Sequence, residues 1–219
     1  LWRTEQLRRG ATLTEVTAGL ARRLGISAHI YPMSDQRVRT TVHSSAGRLP
    51  FQHYFVRERC EPRVSGFSFE GIESAQVAPE VAGLLAAGAL SAIVICPSNP
   101  YVSIDPVLRV PGMWQALRDQ GVPVVLVCPI VAGTALKGPA AKMMAELGVP
   151  VTAAGVAQHY CERYPGLVRD FVIDKSDVKL APEISDLGLE VAVAPTVMKT
   201  LADKRGLARF VLDLAGVAA

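Results

Sequence analysis

The feature that most constrains this chain is a regular alternation of short apolar runs with helical patterns from about residue 78 onward. The runs consist mainly of Val, Ile, Leu and Ala, and they lie at 92–96, 122–128, 170–174 and 189–194. Helices are predicted near 78–87, 106–119, 139–147, 157–163, 181–186 and 203–214. Continuous apolar strands separated by helices are typical of a parallel sheet with helices on both faces. The sequence therefore predicts an α/β fold with a doubly wound, mostly parallel, Rossmann-like sheet.

The first 75 residues have a different pattern. Thr12 and Glu15 have the spacing of a capping box, and apolar residues then recur on one helical face, which predicts a helix over 12–24. Alternating β-branched and polar residues predict strands at 26–33, 38–43 and 64–72. The change near residue 75 predicts a smaller α+β region at 1–75 and a parallel α/β core at 76–219.

Composition excludes several classes of protein. Half of the 219 residues are hydrophobic and 20% are charged, which excludes a disordered or low-complexity chain. The net charge of +3 is spread without a basic run, which argues against nucleic acid as a partner. The apolar stretch at 81–96 is interrupted by glycines and is shorter than the roughly 20 residues of a membrane-spanning helix. The four cysteines form no CxxC pair and follow no secretory signal, which favours a cytoplasmic protein with reduced thiols.

Two loops that follow predicted strands carry candidate binding residues, because ligands of parallel sheets bind beyond the carboxyl ends of the strands. The first loop spans 97–106, and its candidates are Ser98, Asn99, Pro100 and Ser103. Small hydroxyl and amide groups at a strand end favour a bound phosphate or ribose, although a rigid turn is the alternative. Asp105 before Pro106 matches a helix N-cap that is followed by the favoured first helical residue.

The second loop, at 129–139, has a phosphate-binding composition. Gly133 and Gly138 allow backbone N–H groups to approach an anion, and Lys137 adds a positive charge beside the start of the next helix. The loop is not a P-loop, since Pro139 stands where that motif requires Lys.

For several other polar residues, both a ligand-binding role and a structural role fit the sequence. Met33, Ser34 and Asp35 lie at and just after the end of the predicted strand 26–33 and are candidate substrate-binding residues, although Asp35 fits a plain turn as well as a ligand or metal contact. His159 and Cys161 resemble half of a zinc site but have no second pair at metal-ligand spacing, which favours a structural role. No Ser–His–Asp or Cys–His arrangement indicates a covalent nucleophile.

Nine short segments carry a resemblance that covers almost the whole chain: RTEQL (3–7), GATLT (10–14), PMSD (32–35), VRT (38–40), FQHYFVRERCEP (51–62), SNP (98–100), SIDP (103–106), KGPAAKMM (137–144) and TVM (196–198). In this order they resemble the 2-phospho-L-lactate transferases, which make the deazaflavin coenzyme F-420. Each segment is short, and their shared order makes the resemblance specific.

The resemblance implies a transferase that uses Mg²⁺. Such an enzyme moves a phospholactyl-type group (2-phospholactate, phosphoenolpyruvate or phosphoglycerate) from a guanylyl-activated donor to the hydroxyl of the deazaflavin precursor Fo and releases GMP. It implies that Ser98, Asn99, Ser103 and the Lys137-Gly138 loop bind GDP or GMP, and that Lys137 is the catalytic cation that offsets charge on the leaving GMP. Residues 1–75 would lie on the acceptor side, 76–219 would bind the nucleotide, and the protein would form a homodimer.

The chain also departs from the family pattern. The family has a glycine-rich strand and metal-binding aspartates before the point that corresponds to Leu1, so the Mg²⁺ ligands are expected upstream of this chain. The family usually has Asp before Thr196, where this chain has Pro195. The alternative function is a non-catalytic regulatory protein that binds a nucleotide or nucleotide sugar, which the sequence resembles more distantly. The identity of the transferred acid stays open.

Overall fold

The computed structural model describes residues 2–136 and 138–218. Its helices are α1 (Trp2–Arg8), α2 (Leu13–Arg23), α3 (Pro79–Ala87), α4 (Asp105–Leu108), α5 (Met113–Arg118), α6 (Ala140–Glu146), α7 (Ala153–Arg163), α8 (Ala181–Ser185) and α9 (Leu201–Leu214). Its strands are β1 (Arg39–Ser44), β2 (Gly47–Pro50), β3 (Val64–Glu70), β4 (Ile93–Ile95), β5 (Val124–Val127), β6 (Ile130–Val131), β7 (Thr134–Ala135), β8 (Asp170–Asp174) and β9 (Glu190–Ala194).

Four strands form a parallel sheet in the order β4-β5-β8-β9. Side chains of successive residues point to opposite faces of a sheet. Val125 and Val172 accordingly pack in a cluster with Leu207 of α9. Leu126 and Phe171 pack on the other face, in the cluster that contains buried residues of α6 and α7. Helices therefore cover both faces, and the predicted α/β class with a doubly wound parallel sheet is confirmed.

Strands β1, β2 and β3 form a separate antiparallel sheet in the order β2-β1-β3. This sheet lies within residues 1–75, where the sequence pattern differs from the rest. Val42 of β1 and Val64 of β3 are buried in the same cluster as Ile95 and Leu126 of the parallel sheet. The two sheets therefore share one core, and residue 75 marks a change of architecture within it.

The strand predicted at 26–33 does not form. Ile26 and Ile30, which supply the apolar half of its alternating pattern, are 40% and 45% exposed. Alternation identifies a segment that suits a half-buried strand, but it does not supply a neighbouring strand edge for the backbone hydrogen bonds. The helix predicted at 12–24 is confirmed as α2, and Thr12 and Glu15 form the expected capping box.

Two predicted helices have different bounds. The helix expected at 106–119 is divided into α4 and α5, because Pro111 and Gly112 stand between them and Gly112 has a φ of 81°. The helix expected near 157–163 extends back to Ala153, so α7 also contains residues 153–156. The Thr152 hydroxyl caps it by accepting a hydrogen bond from the Gly155 N–H at 3.0 Å.

The stretch at 81–96 is divided between α3, a turn at Gly88 and β4, as its glycines predict. Within the described parts of the chain, no helix combines the length and apolar character that crossing a membrane requires.

Candidate active site

The loops that follow β4 and β5 line one cavity of about 560 Å³. These two strands are parallel neighbours in the sheet, so their carboxyl ends lie at the same edge. Ser98, Asn99 and Ser103 reach the cavity from the first loop, and Gly138 and Pro139 reach it from the second. The sequence-based expectation that both loops lie at one crevice therefore agrees with the geometry.

Asn99 shapes the first loop from within. Its Oδ1 accepts hydrogen bonds from the N–H groups of Tyr101 and Val102 at 3.0 and 3.3 Å, which caps the π-helical turn Pro100–Ile104. Its Nδ2 donates to the sulfur of Met143 in α6 at 3.2 Å. The side chain of Asn99 therefore fixes the loop against the helix that follows the second loop. Its oxygen therefore serves the turn, whereas Nδ2 has a second N–H besides the one that contacts Met143, and a ligand role for Asn99 stays a prediction.

Ser98 and Ser103 provide the hydroxyl groups of the first loop. Ser98 is half-buried and Ser103 is exposed, and both line the cavity. Pro100, the other candidate in this loop, is buried as the first residue of the π-helical turn. Ser98 and Ser103 therefore provide hydroxyl groups that suit hydrogen bonding to a ligand in the cavity.

The second loop contains a small hairpin, β6-β7, that the sequence did not predict. Ala132 and Gly133 form its turn with φ values of 48° and 72°. The Ala132 N–H donates to both carboxylate oxygens of Asp177, at 3.2 and 3.0 Å. Gly133 therefore serves the hairpin turn and does not line the cavity with Gly138.

Gly138 lies where an anion could approach the backbone. It has a φ of 73°, which favours glycine, and a Cβ built there would meet no atom within 4 Å. The backbone conformation thus favours glycine, and the space where a Cβ would lie is open. Lys137, the predicted catalytic cation, lies outside the described residues.

Several residues that line the cavity were not candidate binding residues in the sequence analysis, and four of them have side chains that matter for a ligand. They are Phe51 and Phe55 on the apolar wall, Thr196 after β9 and Lys204 in α9. Lys204 is exposed and brings a positive charge to the cavity. Lys204 could have been predicted from its position in a helix that follows the carboxyl end of β9. That end lies at the same sheet edge as the two predicted loops.

Asp174 is the last residue of β8 and lies at the sheet edge beside the cavity. Burial alone would raise the pKa of this carboxyl, but hydrogen bonds from the backbone N–H and hydroxyl groups of Ser176 and Thr196 hold the pKa below its ordinary value. The lengths of these bonds are between 2.9 and 3.2 Å. Asp174 is therefore an ionised strand-end residue whose acceptor capacity is used within the fold.

Cys128 lines the cavity but is not an available nucleophile. Only 2% of its surface is exposed, and its thiol donates to the Ile130 carbonyl oxygen at 3.3 Å. Burial raises the pKa of the Cys128 thiol to about 12. The reactive thiolate is thus scarce at neutral pH, which agrees with the expectation that no covalent nucleophile acts here.

Met33, Ser34 and Asp35 lie away from this cavity. The Asp35 Oδ1 accepts from the Thr14 N–H at 2.8 Å, and the buried Ser34 hydroxyl donates to Gln36 Oε1 at 2.7 Å. The Met33 carbonyl oxygen accepts from the Ala78 N–H at 3.1 Å. These contacts connect chain segments, and a ligand role for the three residues stays a prediction.

Asp105 is not the helix N-cap that its position before Pro106 predicts. It is the first residue of α4 and makes no capping bond with its side chain. The carboxylate is 3% exposed and accepts hydrogen bonds from His159 and Tyr164. Local sequence did not indicate these partners, because they lie 54 and 59 residues away. His159 is thus a core histidine, as expected.

The described residues do not form a metal site. Across 2–136 and 138–218, no group of three or more His, Cys, Asp or Glu side chains is arranged to hold an ion. Mg²⁺ is usually held by only one or two carboxylates together with substrate phosphates and water, so a Mg²⁺ role stays a prediction.

Comparison with known proteins places these features in a family. The family model described as 2-phospho-L-lactate transferase CofD matches residues 1–194. The chain belongs to the CofD family. A phosphoenolpyruvate transferase from Streptomyces griseus is 36% identical over 217 residues, which are 97% of this chain and 67% of the relative. A 2-phospho-L-lactate transferase from Methanosarcina mazei is 35% identical over 211 residues, with 96% of this chain and 67% of the relative covered.

The family assignment agrees with a structural comparison. A crystal structure of an upf0052 family protein from Bacillus halodurans has a TM-score of 0.65 at 17% identity, and the match covers 94% of this chain and 68% of that chain. At this identity the likeness concerns the fold alone. This CofD-family chain spans about two thirds of the length of its relatives.

Proposed function

We propose that this chain binds the nucleotide of a guanylyl-activated donor in the cavity between the β4 and β5 loops, as part of a transferase. The transferred group is 2-phospholactate, phosphoenolpyruvate or phosphoglycerate, the acceptor is the deazaflavin precursor Fo, and GMP is released in coenzyme F-420 biosynthesis. The observation that carries the proposal is that Ser98, Ser103 and Gly138 line one cavity at adjacent strand ends. The names of the relatives, phosphoenolpyruvate transferase and 2-phospho-L-lactate transferase, support the type of reaction.

The proposed chemistry needs positioning and charge neutralisation more than covalent catalysis. The Fo hydroxyl oxygen forms a bond to the phosphorus of the transferred group, the bond from that phosphorus to the bridging oxygen of GMP breaks, and GMP leaves with the electron pair. The proton of the hydroxyl passes to solvent. Ser98 and Ser103 would donate hydrogen bonds to the diphosphate, and Lys204 would offset its charge. A similar role for Lys137 remains part of the proposal.

Mg²⁺ has no ligands assigned among the described residues. Because no cluster of three or more ligand side chains is present among these residues, no step of the proposed chemistry is assigned to the ion. A cytoplasmic location and a homodimer belong to the same proposal. Cys60, Cys96, Cys128 and Cys161 are all free thiols, which is typical of a reducing compartment.

The proposal is tested by mixing the complete enzyme that contains this chain with Mg²⁺, Fo and the guanylyl donor made with each of the three acids, and measuring GMP release. We expect GMP with at least one donor. Ser98→Ala should weaken donor binding about 10- to 100-fold, because a hydrogen bond to a charged group is lost. Ser91→Ala is the matched control, since Ser91 is exposed before the amino end of β4. No GMP with any donor would contradict the transferase, and preferential binding of a UDP-sugar would favour the regulatory alternative.

A further inference from the structure

A buried carboxylate stands at the end of the turn that presents Ser103. Asp105 immediately follows the turn Pro100–Ile104, and its N–H donates to the Pro100 carbonyl oxygen. Its Oδ1 accepts hydrogen bonds from His159 Nε2 and from the Tyr164 hydroxyl, each at 2.9 Å. The backbone of Asp105 thus belongs to the turn, whereas its side chain is held at α7.

The three side chains form a buried network, and two of them, Asp105 and His159, also line a second cavity of about 500 Å³. Asp105, His159 and Tyr164 are 3%, 8% and 3% exposed. A buried carboxylate is costly unless donors compensate for its lost hydration, and this one has two donors. Tyr101, inside the turn, packs edge-on against the His159 ring with the centroids 4.9 Å apart. Two separate contacts therefore connect His159 to the turn.

The helix that carries the network has its own apolar anchors. Val156, Ala157 and Tyr160 of α7 are at most 2% exposed in the main core cluster. At Gly155, an added Cβ would run into the Pro150 carbonyl oxygen, so the helix packs closely against the preceding loop. α7 is therefore a fixed support for the network.

We infer that Asp105, His159 and Tyr164 are positioning residues that hold the turn Pro100–Ile104, and with it Ser103, in place for nucleotide phosphates. This inference rests on the proposed function for the identity of the ligand. Asn99 fixes the start of the turn to α6 through Met143, and the Asp105 network fixes its end to α7. With both ends fixed, Ser103 keeps a constant position relative to Gly138 on the other side of the cavity.

Two measurements on the 219-residue chain test the inference: calorimetric titration with GDP, and amide hydrogen exchange of Ser103 and Ile104, whose N–H groups donate to the Asn99 carbonyl oxygen. Asp105→Asn replaces the charged acceptor by a neutral amide. We expect GDP affinity to fall about tenfold and exchange at these two amides to rise about tenfold, with exchange in β5 and β8 unchanged. Unchanged exchange and affinity in this variant would overturn the inference.

The conservative variants separate positioning from bulk stability. His159→Gln keeps an N–H donor near the Asp105 carboxylate and should retain most of the GDP affinity of the unaltered chain. His159→Leu has no such donor and should lose it. Tyr164→Phe removes one donor to Asp105, and Tyr54→Phe is its matched control because the buried Tyr54 hydroxyl donates to the Cys60 carbonyl oxygen, away from this turn. Equal losses of GDP affinity in the two Tyr→Phe variants would overturn the inference.

The two measurements also separate the inference from the proposed function. If the unaltered chain does not bind GDP, the proposed ligand is wrong, and faster exchange at Ser103 and Ile104 in Asp105→Asn alone would still support the structural role of the network. If the chain binds GDP and Asp105→Asn binds it equally well, the inference is wrong and the proposed function stands.

Discussion

Asp174 at the end of β8 accepts two hydrogen bonds from Thr196 beyond the end of β9, from the backbone N–H at 2.9 Å and from the hydroxyl at 3.2 Å. Both residues are buried, and Thr196 lines the cavity. The pair connects the carboxyl ends of two neighbouring strands at the edge where the β4 and β5 loops also lie. The position of Thr196 at the cavity therefore depends on an ionised carboxylate.

The stability of the fold should depend on the charge of Asp174. Because the folded-state pKa is lowered, the carboxylate stabilises the fold above its ordinary pKa of 3.8, and this contribution is lost as the pH falls through the folded-state pKa. Asp174→Asn should reduce the free energy of unfolding by about 2–3 kcal/mol at pH 7, since buried donors lose a charged acceptor. Urea denaturation at pH 7 and pH 3 measures the difference in free energy of unfolding between the unaltered chain and Asp174→Asn. This difference should be smaller at pH 3.

Asp186→Asn is the control for this prediction. Asp186 is exposed beyond the end of α8. A substitution there should change the free energy of unfolding by no more than about 0.5 kcal/mol. A difference between unaltered chain and Asp174→Asn that is as large at pH 3 as at pH 7 would show that the charge of Asp174 is not the cause.

The cysteines that follow β4 and β5 should differ strongly in reactivity. Cys96 is exposed, whereas Cys128 is buried and burial raises the pKa of its thiol to about 12. Since alkylation requires an accessible thiolate, iodoacetamide at pH 8 should label Cys96 at least about 100-fold faster than Cys128. Mass spectrometry of the digested protein measures both rates, and Cys96→Ser identifies the fast site. Equal rates would mean that the second strand end is open to solvent.

Gly138→Ala tests the backbone conformation of the second loop. Because its φ is 73° and no atom lies within 4 Å of the position that a Cβ would take, the substitution should cost about 1–2 kcal/mol through backbone strain without a steric clash. Gly83→Ala is the matched control, since Gly83 lies inside α3 with equally open surroundings. This substitution should raise the free energy of unfolding by roughly 0.5–1 kcal/mol. Thermal unfolding measures both, and a stabilised Gly138→Ala would contradict the described loop.

Lys204 should contribute charge to nucleotide binding. Lys204→Gln is expected to lower GDP affinity by about three- to tenfold, because an exposed cation near phosphates adds a modest attraction that salt screens. Arg205→Gln is the control, since Arg205 is an exposed neighbour in α9 that does not line the cavity. Calorimetric titration at low and high salt measures both variants. Equal effects of the two substitutions would remove Lys204 from the binding site.

The positions of the two loops could be predicted because parallel strands impose them. Ser98 follows β4 and Gly138 follows β5 by way of the β6-β7 hairpin, and the carboxyl ends of parallel neighbours must lie at one edge. The individual roles were harder to predict. Asn99 was recognised as unusual, but its oxygen caps its own turn, and an isolated sequence motif does not separate capping from ligand binding.

Long-range pairing explains the other differences. Asp105 fits a local N-cap pattern, yet its partner His159 lies 54 residues away on α7, and no local spacing indicates such a contact. Likewise, residues 26–33 alternate as a strand does but have no strand beside them. Sequence periodicity predicts which face of an element is buried, whereas the tertiary structure decides what that face meets.

The central claim is that the β4 and β5 loops bind nucleotide phosphates in one cavity, and amide chemical-shift mapping of the ¹⁵N-labelled chain titrated with GDP tests it most directly. We expect saturable shifts that include Ser98, Ser103 and Gly138 on both sides of the cavity. Shifts confined to the separate cavity beside His159 and Arg163, or no saturable shift at all, would contradict it.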